Sequence, residues 1–324
     1  MLYPLKFTPI YKDKIWGGNK LKTILNKDYG TIPNCGESWE ISGVDGDESI
    51  VSNGFLEGNT LAEITEIYMA DLLGEKVYDK YGIEFPLLIK LIDATDILSI
   101  QVHPDDELAK ERHSAFGKTE MWYVLQADKG SELISGFNKT IDKEIYLKHL
   151  ENKTLKNILN VEKVKSGDVF FIPAGRVHAI GAGILLAEIQ QTSDVTYRIY
   201  DWDRLDDKGQ PRELHTELAL DALDFEQCKN PRQNYSLQKN NVANIIECEY
   251  FTTNIIELDK LLQKDYALID SFVIYLCVEG NVSIIYDNNK TETLKAGETI
   301  LIPAELKEIT LMPKENSKIL EVYL

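Results

Sequence analysis

Lys165-Ser-Gly-Asp-Val-Phe-Phe-Ile-Pro-Ala174 reads as a Gly-acid turn, an apolar strand and a proline stop, and the same device returns 130 residues later as Lys295-Ala-Gly-Glu-Thr-Ile-Leu-Ile-Pro-Ala304. Five of the ten positions are identical. A unit of this kind repeated at a long interval predicts two β-barrels built on one plan. The copies part just beyond the proline: the first continues Gly175-Arg-Val-His178, the second Glu305-Leu-Lys-Glu308, so only the first is equipped with a histidine there.

Outward from the repeat, short apolar and β-branched runs bounded by Gly, Asn and Asp predict strands. They fall at Phe85 to Leu91, Met121 to Leu125, Val169 to Ile172, Ile184 to Ile189 and Ser283 to Tyr286. Helical periodicity is confined to three places. The clearest runs from about Thr60 to Tyr78, where Thr60 and Glu63 are spaced as a capping box; the others lie near Lys143 to Asn160 and Glu213 to Leu223. Helices do not alternate with strands, which disfavours a parallel α/β sheet and makes the chain mainly β with a few short helical insertions. The polar stretch from Gln227 to Asn241, containing Pro231, predicts a boundary between a first domain over residues 1–230 and a second over 240–324.

The chain has 324 residues, 44% hydrophobic and 27% charged, enough apolar material for a large core and too much for disorder. Its formal charge of −18 repels polyanions, so nucleic acid and anionic membrane surfaces are excluded as partners; an anionic small molecule needs a local basic cluster to overcome that field. Cys35, Cys228, Cys248 and Cys277 are widely spaced and predict reduced thiols. The N-terminal stretch lacks the pattern of a secretory leader, and no apolar run reaches the length of a membrane span, so a cytoplasmic location is expected.

The candidate chemistry gathers in the first half. Gln101 and His103, two apart beside the apolar run Ile97 to Ile100, share one face if they lie on a strand. Glu120 precedes the strand from Met121, and His178 follows the strand ending at Pro173. Two imidazoles, a carboxylate and an amide oxygen suit zinc or a similar divalent ion with a position left open. Asp105, Asp106 and Glu107 begin a charged helical turn after Pro104, while His113, His149 and His215 take surface or loop roles. Arg198 ends a polar run that follows Ile184 to Ile189, where a guanidinium suits phosphate or developing negative charge.

Several ordered segments together resemble the type I mannose-6-phosphate isomerases in their short bacterial form. They are Trp16-Gly-Gly18, Gly36-Glu-Ser-Trp-Glu40, Pro86-Leu-Leu-Ile-Lys90, Leu98-Ser-Ile-Gln-Val-His-Pro-Asp105, Gly117-Lys-Thr-Glu120, Ile172-Pro-Ala-Gly-Arg-Val-His178 and Glu188 through Arg198. The resemblance covers most of the first 225 residues. It implies two cupin-type jelly-roll barrels, with the catalytic barrel and its helical insertions in residues 1–230 and a degenerate barrel without metal ligands in 240–324. It further implies one zinc ion per chain on Gln101, His103, Glu120 and His178, and interconversion of mannose 6-phosphate and fructose 6-phosphate. Arg198 matches the family's active-site arginine. Glu188 and Lys118 fall at catalytic positions, and Lys90, Ser99 and Trp16 at positions that line the substrate pocket. The chain departs from the larger eukaryotic members in lacking their substantial helical domain, so substrate contacts made by that domain do not transfer.

Moving a proton between C2 and C1 of an open-chain sugar through an enediol calls for a Lewis acid and a positioned proton carrier. Glu188, a zinc-bound water and a nearby lysine all remain open for the second role. Two other readings compete with the isomerase: another metal-dependent cupin enzyme such as an oxygenase, and a non-catalytic sugar-phosphate binding protein that keeps the fold.

Overall fold

The strands Leu87–Ala94 and Ile184–Gln191 are buried along their whole length, which is why they read as continuous apolar runs rather than as alternating ones. They pair antiparallel from Ile184 opposite Ala94 to Gln191 opposite Leu87 and form the centre of a seven-stranded sheet. In the computed structural model, which describes residues 1–205 and 209–324, the spatial order of that sheet is Arg232–Gln233, Val169–Ile172, Glu120–Ala127, Ile184–Gln191, Leu87–Ala94, Cys35–Ile41 and Ile10–Gly18. A five-stranded sheet accompanies it, ordered Tyr197–Tyr200, Ile100–Val102, His178–Ala179, Glu132–Phe137 and Leu159–Lys163.

Residues beyond 241 form a second pair of sheets. One has Val242–Glu247, Thr252–Leu258, Ser317–Tyr323, Val273–Glu279 and Thr299–Ile302 in that order; the other has Leu262–Asp265, Glu308–Pro313, Asn281–Tyr286 and Lys290–Lys295. The chain is therefore mainly β, as its sequence pattern predicts. Both copies of the repeat become strands at the same offset, Val169–Ile172 and Thr299–Ile302.

The correspondence extends across the neighbouring strands. Phe170 faces Trp122, Trp122 faces Glu188 and Glu188 faces Lys90; in the second half Ile300 faces Tyr275, Tyr275 faces Glu321 and Glu321 faces Asn254. Each row holds one buried glutamate that accepts a hydrogen bond from the adjacent aromatic side chain. Trp122 Nε1 donates to Glu188 at 2.8 Å and the Tyr275 hydroxyl to Glu321 at 3.0 Å. The repeat is thus longer in space than in sequence.

The helix expected from Thr60 to Tyr78 is broken twice, with the capping box of Thr60 and Glu63 in place: Leu61–Leu73 is kinked at Met69, whose φ of 44° is non-helical, and a further helix, Glu75–Tyr81, follows. Gly74 separates them at φ 92°, and a Cβ there would lie 2.6 Å from the backbone of Asp270. Asp270 itself accepts from the backbone N–H groups of Glu75 and Lys76, so a contact from the second half of the chain divides the helix. The helix near Lys143 is shorter than its periodicity suggests, Lys143–Glu151. Leu155 and Ile158 then enter the core from a 3-10 turn and the chain becomes a strand at Leu159. The third is Thr216–Ala222, and the charged turn after Pro104 is a full helix, Asp106–His113, capped by Asp105.

The stretch from Gln227 to Asn241 is not a bare linker, since Arg232–Gln233 pairs with Val169 and Phe170 as the edge of the seven-stranded sheet. One hydrophobic cluster joins residues from both halves, including Leu5, Phe85, Leu185, Phe272 and Leu301. The N-terminal segment contributes directly, with Leu5 and Leu301 exchanging backbone hydrogen bonds of 2.8 and 2.9 Å.

Candidate active site and metal centre

Glu120 is itself the first residue of its strand, one place earlier than the apolar run suggests, and His178 opens the short strand His178–Ala179. His103 follows directly on Ile100–Val102. These three side chains, drawn from both sheets, bring ligand atoms within 4.8 Å of one another and are almost wholly buried. His103 Nε2 lies 3.2 Å from one oxygen of Glu120, and His178 Nε2 lies 3.8 Å from the other.

The tautomers follow from what the other ring nitrogens touch. His103 Nδ1 is 2.9 Å from the carbonyl of Val195 and His178 Nδ1 is 2.8 Å from that of Arg176, so each Nδ1 carries the proton and each Nε2 presents a lone pair. Burial, with the Lys118 charge adding to it, pushes His103 down to about 3, and burial lowers His178. Burial alone would raise Glu120, but the neighbouring Lys118 charge holds it well below the usual carboxylate range. Two lone pairs and a carboxylate thus converge, and His103 Nε2, His178 Nε2 and Glu120 Oε2 are buried without a hydrogen-bond partner. Such orphaned acceptors are costly unless a cation sits among them, and nitrogen and oxygen donors of this kind fit a divalent metal with its Nδ1 contacts already in place.

Gln101 lies opposite both His178 and Arg198 in the five-stranded sheet and lines the adjoining cavity of about 440 Å³. Trp16, Lys90, Ser99, Lys118, Glu120, Glu188 and Arg198 line the same cavity, and Glu120 links it to His103 and His178, which lie behind its wall. Lys118 Nζ is 3.3 Å from Glu120. Lys90 Nζ is 3.1 Å from Glu188 Oε1 and donates to Gln190 at 2.7 Å, while Trp122 occupies the other Glu188 oxygen. Burial and the nearby Glu120 charge raise the Glu188 pKa against the pull of Lys90. Arg198 is half-buried, its pKa lowered by that burial and by Arg212; it donates to the carbonyl of Glu213, and its Nε has no partner.

His113, His149 and His215 stand apart from this cavity. The first meets the Tyr197 hydroxyl, the second Thr154, and the third accepts from the backbone N–H of Arg198 just before the helix Thr216–Ala222.

Compared with known proteins, the chain matches the family model of the phosphomannose isomerase type I catalytic domain over residues 4–135 and that of the mannose-6-phosphate isomerase cupin domain over 241–317. It is 36% identical over 317 residues to the mannose-6-phosphate isomerase ManA of Bacillus subtilis, covering 95% of each chain. The chain belongs to the type I phosphomannose isomerase family. The mannose-6-phosphate isomerase of Streptococcus mutans is 35% identical over 311 residues, covering 95% of this chain and 94% of its own. The crystal structure of the mannose 6-phosphate isomerase from Bacillus subtilis superposes with a TM-score of 0.90 at 31% identity, covering both chains in full. The protein is an isomerase of cupin type.

Within this isomerase the cavity also holds residues that sequence reasoning did not select. Arg212 is one, gripped by Asp201 through Nε at 2.7 Å and Nη2 at 2.5 Å; Asp201 also accepts from Arg204 at 2.6 Å. No local pattern marks Arg212, because a separate segment brings it to Arg198. Glu37 and Trp39 are others, with Trp39 Nε1 donating to Glu37 at 2.7 Å and the ammonium groups of Lys12 and Lys90 lying 4.7 and 5.1 Å from the centre of its ring. Their i, i+2 spacing inside Gly36 to Glu40 was the available signal.

Proposed function

We propose that the protein interconverts mannose 6-phosphate and fructose 6-phosphate in the cytoplasm, using one zinc ion per chain on Gln101, His103, Glu120 and His178. The observation that carries this reading is the set of orphaned acceptors on His103, Glu120 and His178, beside a cavity that Glu120 lines together with basic side chains, in a chain of this family. The net negative charge and the four free cysteines agree with a sugar-phosphate enzyme of a reducing compartment that engages neither nucleic acid nor membranes. Two cupin-type barrels, residues 1–230 and 240–324, account for the matching rows through Glu188 and Glu321.

The sugar must lose a proton from C2 and gain one at C1, passing through an enediol. Bound zinc supplies Lewis acidity at the sugar's carbonyl and hydroxyl oxygens. Glu188 is the proton carrier: its carboxylate lines the cavity, and burial with the nearby Glu120 charge raises its pKa, which strengthens it as a base. Lys90 and Trp122 fix its two oxygens and so aim it. Lys118, beside Glu120, stabilises negative charge developing on the enediol oxygens. Arg198 and Arg212 form the local basic cluster that an anionic substrate requires against the overall field, with Ser99 adding a hydroxyl and Trp16 an apolar wall.

Purified protein incubated with mannose 6-phosphate should form fructose 6-phosphate, stop when a chelator strips the metal and resume when zinc is returned. Folded, zinc-loaded protein that leaves the sugar unchanged would refute the assignment and favour another cupin chemistry or simple binding.

A further inference from the structure

We propose that Tyr250, in the second half of the chain, is a positioning residue for the metal-bearing edge of the active site and acts through Asp106. The inference rests on the zinc site described above and gives the second half a part in it.

Asp106 opens the helix Asp106–His113 and spends both its oxygens on groups beyond that helix. Oδ1 accepts from the backbone N–H of Gly117 at 2.8 Å and from Gln191 Nε2 at 2.9 Å; Oδ2 accepts from the Tyr250 hydroxyl at 2.9 Å. Gln191, the last residue of the strand that carries Glu188, accepts from the N–H of Thr119 through its side-chain Oε1 at 2.9 Å, and its backbone N–H donates to Thr119 O at 3.2 Å. Lys118 N–H donates to the carbonyl of Pro104, the residue after His103. The segment 117–119 is therefore held on both sides immediately before Glu120, with Lys118 inside the clamp.

The closeness of the two segments leaves no slack. A Cβ on Gly117 would lie 2.6 Å from the backbone of both Asp105 and Asp106. Tyr250 is equally well fixed. It sits in the turn closed by the Cys248 N–H to Phe251 carbonyl bond, and Phe251 is buried in the core shared by the two halves. Burial and the Asp106 carboxylate raise the Tyr250 pKa, so its hydroxyl stays a donor. One carboxylate thus ties the approach to His103, the approach to Glu120 and the end of the Glu188 strand to an anchor outside the first half. Partners that orient metal ligands act on metal affinity as well as on turnover.

The test is zinc affinity, read by competition with a chromophoric chelator, together with kcat and KM. Tyr250→Phe should weaken zinc binding and lower kcat by about three- to tenfold, the scale of one lost hydrogen bond to a charged acceptor, with KM for mannose 6-phosphate unchanged. Asp106→Asn should move both in the same direction by about tenfold or more, and it keeps Tyr250 in place should that variant fold poorly. Tyr275→Phe serves as the comparison, since it deletes a buried hydroxyl in the same half without touching this chain of contacts. It should lower Tm yet leave zinc affinity and kcat within about twofold of the parent. Tyr250→Phe and Asp106→Asn proteins that bind zinc like the parent, or that differ from it no more than Tyr275→Phe does, would overturn the proposal, as would a folded parent that binds no zinc. Zinc-binding parent protein that fails to isomerise the sugar would overturn the functional reading alone, because the order of zinc affinities still decides the positioning role.

Discussion

His103 and His178 are neutral because their environment leaves no place for a second proton: Nδ1 is committed to a carbonyl and burial penalises the cation. The unfolded chain protonates both near pH 6.5, whereas the folded chain resists until about 3 for His103. Protons then bind the unfolded state preferentially, so metal-free protein should be most stable above pH 6.5 and lose stability progressively as the pH falls from there toward 3. Denaturant melts of metal-stripped protein across that range check the sign, and His103→Gln should flatten the slope. His103→Ala should lose both bound metal and turnover, while Arg198→Ala should lose turnover by about a hundredfold or more with metal retained, as expected for a group that stabilises charge at the reacting sugar. Metal analysis beside a rate measurement separates the two. These residues were legible in the sequence because each sits in a distinctive local run, such as Gln101-Val-His103 or Gly175-Arg-Val-His178. Arg212 was not, because its place beside Arg198 is set by the fold.

At the scale of elements, the strands of the repeat and the capping box of Thr60 were readable from local chemistry alone, and they form where the pattern puts them. The break at Gly74 was not, because its cause lies near Asp270, almost two hundred residues away. Its backbone at φ 92° and the 2.6 Å approach to Asp270 both reject a side chain. Gly74→Ala should therefore destabilise the protein by about 1–3 kcal/mol, visible as a lowered Tm, with turnover at room temperature unchanged because the helix lies away from the cavity. An unaltered Tm would show that the Asp270 segment yields. Similarly, Leu155 and Ile158 carry helical spacing, yet their burial in the core favours a 3-10 turn over another turn of α-helix.

For the whole molecule, the sequence boundary after residue 230 describes the repeat better than it describes the core. Leu5, Phe85 and Leu301 share one hydrophobic cluster, and the segment around Arg232 is an edge strand of the first half's large sheet. Calorimetry should show a single cooperative transition, and a chain ended at residue 240 should fail to fold, since it exposes the apolar surface that Phe272, Leu276 and Leu301 now cover. Two well-separated transitions would mean that the halves stand alone. The matching rows through Glu188 and Glu321 differ in their surroundings: the second has a buried carboxylate held by Tyr275, Tyr266 and Lys264, but no histidine beside it.

The central claim is that the buried His103, Glu120 and His178 hold the metal on which isomerisation depends. Anomalous diffraction at the zinc edge, on crystals of active zinc-loaded protein, tests it most directly. The account predicts one peak per chain at about 2.0–2.2 Å from His103 Nε2, His178 Nε2 and a Glu120 oxygen. Active crystals with no peak there, or with the zinc bound elsewhere, would contradict it.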